Sequence, residues 1–315
     1  MSPKKPSFFA ILLREITFAA CNPMFGKEIW ASLLLLSLLA ISTAEDRIYN
    51  GNKVPTDDLL NVVTLNFKSP EKTYKCTATV ISKHHVLTAA HCFLNGTYCT
   101  ATVISKHHVL TAAHCFLNGT YVLKVQDRDN NQLAVDHWTI HSGYPGPAFD
   151  NDIAIITVEQ PLKIPPVNLA ANYAPNGGLL RVAGYGKTKY ESKDGVMDYS
   201  DYAEDLMESY IQGHPKEKCT TKWPNVTGLS NVKGICVHHP NTGALPGDSG
   251  GPSFAKGKDG KYYQVAITSH GAVHLDAGGY YGIDTDVGSY CPWIEETTGG
   301  EAKCQTFEQD EVEID

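Results

Sequence analysis

Residues 76–98 read CTATVISKHHVLTAAHCFLNGTY, and residues 99–121 repeat them without a change. No other feature limits so tightly what this chain can fold into. A solenoid needs about three or more units, and its repeats drift apart in sequence. A perfect pair of 23-residue copies means instead that one copy belongs to a fold and the other is an insertion into it. Whichever copy lies outside carries an exposed apolar strand sequence, Ala-Thr-Val-Ile, of an aggregation-prone kind.

Around the duplication the chain reads as short strands between turns, at 61–67, 121–125, 153–158, 179–183 and 262–269. Their spacing and β-branched content predict an all-β barrel or sandwich. Two stretches read as helix, 206–212 and the segment around Trp293 and Ile294. No linker divides residues 48–315 into independent units. The net charge of −8 is concentrated at one end: from Glu295 onward there are eight acids and one lysine. A near-neutral body with an acidic tail lacks the basic footprint that nucleic-acid binding requires.

Residues 29–44 form an uncharged apolar run ending in Ser42-Thr43-Ala44. The run is shorter than the roughly 20 residues needed to span a bilayer and ends in small residues as a signal-peptidase site does. Residues 1–44 are therefore expected to be an N-terminal extension and signal peptide, with Met24 as a more typical start, and no stable membrane anchor follows. Nine cysteines agree with secretion: Cys21 falls in the removed segment, leaving Cys76, Cys92, Cys99, Cys115, Cys219, Cys236, Cys291 and Cys304. An even number in a secreted chain reads as disulfides. A zinc site is not expected, because the cysteines and the His84-His85 pair lack ligand spacing. Asn95, Asn118 and Asn225 head glycosylation sequons.

The chemistry centres on Gly247-Asp248-Ser249-Gly250-Gly251-Pro252. Its glycines permit backbone angles closed to other residues, so a tight turn there can present a serine hydroxyl beside backbone N–H donors. The same residues also suit an ordinary surface turn, so a catalytic serine needs a base and an orienting acid elsewhere. His91 and His114 each sit in Leu-Thr-Ala-Ala-His-Cys. Asp152 opens the apolar run Asn151-Asp152-Ile153-Ala154-Ile155-Ile156, where an unpaired carboxylate is costly.

These motifs, with Ala183-Gly184-Tyr185-Gly186 and the order His, Asp, Ser, resemble the chymotrypsin/trypsin-like serine proteases over residues 48 to about 298. Unrelated triad enzymes place the same residues in other orders. The resemblance implies an all-β fold of two six-stranded antiparallel β-barrels with a C-terminal helix. It implies a protease domain at 48–298, an activation peptide at 45–47 and an acidic tail at 299–315. It also implies a secreted serine endopeptidase that is a monomer, needs no cofactor or metal, and acts on protein or peptide substrates.

By that resemblance Ser249 is the nucleophile, His91 or His114 the general base, and Asp152 the residue that orients the imidazole. The N–H groups of Gly247 and Ser249 form the oxyanion hole. Arg47-Ile48-Tyr49-Asn50-Gly51 resembles the family's activation junction. A partner protease cutting after Arg47 would free the Ile48 ammonium to pair with buried Asp248. Ser269-His270-Gly271 matches the segment whose backbone binds substrate as an added strand, with His270 where the family has tryptophan. The implied disulfides are Cys76–Cys92, Cys99–Cys115, Cys219–Cys236 and Cys291–Cys304, the last tying down a tail that is otherwise disordered. Leu245 stands where the family usually has a cysteine bridging the pocket wall.

Insertion geometry favours His91. If 76–92 supplies the fold and residue 116 resumes it, the extra residues leave just after the His-Cys turn. Lengthening a loop costs under about 1 kcal/mol per doubling, whereas using His114 disrupts a strand. For specificity, Gly243 and Ala244 occupy the base of the family's pocket, where trypsins have aspartate. Gly282 and Asp284 lie beside that pocket. Asp284 either attracts basic side chains or serves structural groups in a pocket for large apolar ones. The competing reading is a non-catalytic homologue that binds or regulates, although intact Ser249, Asp152 and Arg47 oppose it.

Overall fold

The computed structural model describes residues 48–68, 73–80, 82–88, 101–105, 109–111, 121–126, 129, 131–144, 150–193, 196–199, 202–221, 232–274 and 279–310. The expected leader and activation peptide, His91, His114, the three sequons and the pairings of Cys92, Cys99 and Cys115 lie outside the described residues.

A first closed barrel contains β1 (Val62–Lys68), β2 (Thr73–Val80), β3 (Ser82–Thr88), β4 (Ala101–Ser105), β5 (Val109–Thr111), β6 (Tyr121–Gln126), β7 (Gln132–Ile140) and β8 (Ala154–Val158). Two of these eight, β4 and β5, come from the second copy, so a single copy leaves six. β8 is buried along its whole length, as its run Ala-Ile-Ile-Thr-Val requires. Both copies register on it identically: Thr88 and Thr111 each face Ala154, and Leu87 and Leu110 each face Ile155. β7 pairs with the same residues of β8.

The second barrel follows from β9 (Leu179–Gly184), β10 (Met207–Pro215), β11 (Gly234–His239), β12 (Pro252–Lys256), β13 (Tyr262–His274) and β14 (Gly279–Asp286). The hydrogen-bonded order is β12-β9-β10-β11-β14-β13, and β13 pairs back to β12, so six strands close a circuit. Leu180, Val182, Met207, Ile211, Val237, Val265 and Tyr280 pack inside it together with Ile48.

The helix expected at 206–212 is corrected to strand. In β10, Met207, Ser209, Ile211 and Gly213 are buried, and the residues between them are less so. That period of two is a strand pattern, and pairing with β9 and β11 on either side outweighs the helix propensity of Leu-Met-Glu.

The second expected helix is present as α1 (Cys291–Thr297). Its buried Ile294 faces the core, and Trp293 packs on His141 with ring centres 5.2 Å apart. The Cys291–Cys304 and Cys219–Cys236 disulfides are both formed. The first returns the chain to the second barrel, where Cys304–Gln305 pairs with Asn168–Ala170. Phe307 then stacks on Tyr263 at 4.4 Å, and the Asp310 N–H donates to Lys256 at 2.9 Å. The acidic stretch from residue 299 to 310 is therefore folded against the barrel. No helix among the described residues is long and apolar enough to cross a membrane.

Candidate active site

Ser249 is half-buried on a turn between two glycines with left-handed backbone, Gly247 at φ +104° and Gly250 at φ +78°. A Cβ on Gly247 would lie 2.8 Å from the Gly186 Cα, so both its φ and the contact exclude a side chain. The turn is pinned to β13, where the Gly250 N–H donates to the Thr268 carbonyl at 2.7 Å and the Thr268 N–H donates to the Gly251 carbonyl at 2.8 Å. From the first barrel the Thr77 hydroxyl donates to the Gly247 carbonyl at 3.1 Å and accepts from the Tyr185 N–H. Thr77 belongs to the first of the two copies.

Asp152 is 2% exposed. Its Oδ2 accepts from the Ser269 hydroxyl at 2.6 Å, and its backbone carbonyl accepts from the Thr285 hydroxyl at 3.1 Å. Burial raises its carboxyl well above the usual range, and the Ser269 hydrogen bond opposes that rise. Ser269 directly follows Thr268, so neighbouring residues of one strand hold the acid and the serine turn.

Asp248 is fully buried. Its two carboxylate oxygens accept from the Gly186 N–H at 2.8 Å and the Leu245 N–H at 2.9 Å. Burial pushes it up to about 7, against the pull of those two donors. The second glycine of Ala183-Gly184-Tyr185-Gly186 has its explanation here, since a Cβ on Gly186 would stand 2.6 Å from the Asp248 backbone nitrogen. Ile48 lies in the core of the same barrel, 1% exposed. The segment it begins is bound by the Tyr49–Gly243 bridge, by the Thr242 hydroxyl on the Tyr49 carbonyl and by Asn50 on the Asn241 carbonyl at 2.6 Å.

The residues assigned to substrate binding converge beside this turn. Gly271 pairs with Gly282 across β13 and β14, and Ser269 joins Asp284. That carboxylate is 1% exposed and accepts from the Ser269 N–H at 3.3 Å and the Ser253 hydroxyl at 3.4 Å. Burial raises Asp284 to about 7. His270 and Gly271 are exposed, Ala244 half-buried, Gly243 buried. One neighbour went unremarked in the sequence: Tyr280, which lies against Gly243, Gly271 and Gly282. The signal was available, because Tyr280, Gly282 and Asp284 alternate along β14 and so share a face.

The family profile described as Trypsin matches residues 48–98 and 94–294, two pieces that meet inside the duplication. Among curated relatives, Serine protease 7 of Drosophila melanogaster is 26% identical over 268 residues, covering 80% of this chain and 65% of the relative. Kallikrein-14 of Homo sapiens is 26% identical over 234 residues, covering 72% and 76%. Tissue-type plasminogen activator of Sus scrofa is 27% identical over 256 residues, covering 74% of this chain but 41% of the relative.

Proposed function

The chain belongs to the trypsin family of serine proteases, and on that footing we propose that it is a secreted serine endopeptidase, made as a precursor and switched on by a cut after Arg47. The observation that carries this reading is the pair Thr268 and Ser269, which holds the Ser249 turn and the buried Asp152 on adjacent residues. The two disulfides in the second barrel support an oxidising, extracellular destination.

In the proposed reaction the Ser249 hydroxyl attacks the scissile carbonyl as a histidine takes its proton. That histidine then protonates the leaving amine. The N–H groups of Gly247 and Ser249 receive the negative charge on the carbonyl oxygen, and water releases the acyl group. Asp152 holds the imidazole in one tautomer and stabilises its charged form. His91 is the favoured base. In its support, Thr77 of the first copy holds the serine turn through the Gly247 carbonyl at 3.1 Å.

Activation draws support from Ile48. This β-branched residue has φ +47°, an arrangement that stores about 1–3 kcal/mol of strain. That dihedral exists only while Ile48 is bonded to Arg47, so the cut releases it and leaves an ammonium in the barrel that holds Asp248. Asp248→Asn is expected to fold and be cut after Arg47 yet remain inactive; full activity in that variant would remove the assignment.

Labelling of the cut chain by a fluorophosphonate, with Ser249→Ala as the control, tests the function itself. Label on Ser249 is expected. An unlabelled Ser249 leaves the non-catalytic homologue as the better reading.

A further inference from the structure

Three glycines from three segments meet on one side chain. Gly243 lies on the segment running into the serine turn, Gly271 two residues beyond Ser269, and Gly282 opposite Gly271 in β14. A Cβ on Gly243 would stand 2.6 Å from the Cδ1 and Cδ2 atoms of Tyr280, against the ring face at Cγ. A Cβ on Gly271 would stand 2.5 Å from the Tyr280 Cζ, and one on Gly282 would stand 2.9 Å from its hydroxyl oxygen. The phenol therefore runs from Gly243 at one end to the Gly271–Gly282 pair at the other. Gly271 is exposed whereas Tyr280 is 1% exposed, so the hydroxyl end reaches the layer just beneath the surface.

Glycines that face one another across a cleft ordinarily leave room for a ligand's side chain, and here the chain's own ring takes that room. The ring is also part of the barrel core with Ile48 and Val237. Asp284 offers no ready counter-ion, since its oxygens accept from the Ser269 N–H and the Ser253 hydroxyl.

We propose that Tyr280 is the specificity-determining residue of this site: it fills the side-chain pocket beside Ser249 and restricts cutting to bonds that follow glycine, alanine or serine. The inference rests on the endopeptidase reading above. A lysine, arginine or phenylalanine side chain could enter only by displacing the phenol from the core, whereas a methyl or hydroxymethyl group needs no such displacement.

The test uses the full chain, cut after Arg47, on peptide anilides that differ only in the residue before the scissile bond: alanine, serine, phenylalanine or lysine. Wild type is expected to favour alanine over phenylalanine and lysine by about 100-fold in kcat/KM, the scale set by steric exclusion from a pocket. Tyr280→Ala should raise the ratio of kcat/KM for phenylalanine or lysine over that for alanine by about 10-fold or more, and an unchanged ratio overturns the inference. Tyr280→Thr, which leaves a smaller void, serves if the alanine variant does not fold. Wild type that cuts after phenylalanine or lysine as fast as after alanine overturns the inference on its own, with no variant needed. A chain that turns over none of the four and takes no fluorophosphonate on Ser249 overturns the endopeptidase reading, and this inference with it.

Discussion

The Ser269 hydroxyl donates to the Asp152 carboxylate at 2.6 Å in a place where Asp152 is 2% exposed. A buried carboxylate depends on such donors to remain ionised, and an ionised Asp152 is what the proposed base requires.

Ser269→Ala removes the donor that opposes the burial-driven rise in the Asp152 pKa. The ionised fraction at a given pH then falls, so the acidic limb of the pH–rate profile moves to higher pH. We expect kcat to drop by about 10- to 100-fold, a fraction of what losing a general base costs, with KM little changed. A variant whose rate falls equally at all pH values, without movement of the limb, would assign Ser269 a structural role alone.

Asp248 and Asp284 rise from 3.8 to about 7 on burial. Between those values the folded state holds more protons than the unfolded one, so stability falls as pH climbs from about 4 to 7. The loss at each site is on the order of a few kcal/mol. Asp284→Asn does not titrate, so its urea midpoint relative to wild type should rise over that window. His141, His214 and His239 are shifted downward by burial first and slope the other way, but they are common to both proteins and cancel. A relative midpoint that is flat with pH would contradict the raised Asp284.

Gly186→Ala places a methyl group 2.5 Å from the Asp248 Cγ and 2.6 Å from its backbone nitrogen. Backbone cannot rotate aside, so a stability loss of about 1–3 kcal/mol is expected, together with loss of activity through a displaced serine turn. Gly260→Ala is the control: nothing lies within 4 Å of the added methyl, although its φ is left-handed, at +79°. That change should cost about 1–2 kcal/mol from backbone conformation alone and leave turnover unchanged.

Opening the Cys291–Cys304 link by a double Cys→Ser change removes a cross-link of sequence separation 13. The expected loss is about 2–4 kcal/mol, with the Phe307 segment becoming accessible to limited proteolysis while kcat/KM stays near wild type. A tail that stays protected would show that the Tyr263–Phe307 stack and the backbone bonds at 308–310 suffice.

His91→Ala is expected to abolish turnover and His114→Ala to preserve it. The reverse outcome would move the fold-bearing role to the second copy.

Much of this site was legible because its chemistry is written in contiguous motifs. Gly247 to Pro252 and Asn151-Asp152 declare themselves by composition, and the tight contacts of Asp248 explain why glycine stands at 186. What escaped was information spread between strands. β10 looked helical because Leu206-Met207-Glu208 favours helix locally, and only its two neighbouring strands impose the alternation of buried residues. The filling of the pocket escaped because Tyr280 is 37 residues from Gly243 in sequence, and the two meet only when β14 folds beside the segment leading to Ser249. The tie of the tail through Cys291–Cys304 was legible and is formed, but the stack of Phe307 on Tyr263 was not, because the two rings are far apart in sequence.

Both copies rest on one strand: Thr88 and Thr111 meet Ala154, and Leu87 and Leu110 meet Ile155. β8 is thus the common footing of the duplication. A lesion at 154–156 strikes the contacts of both copies at once, whereas one in β3 or in β5 strikes those of a single copy.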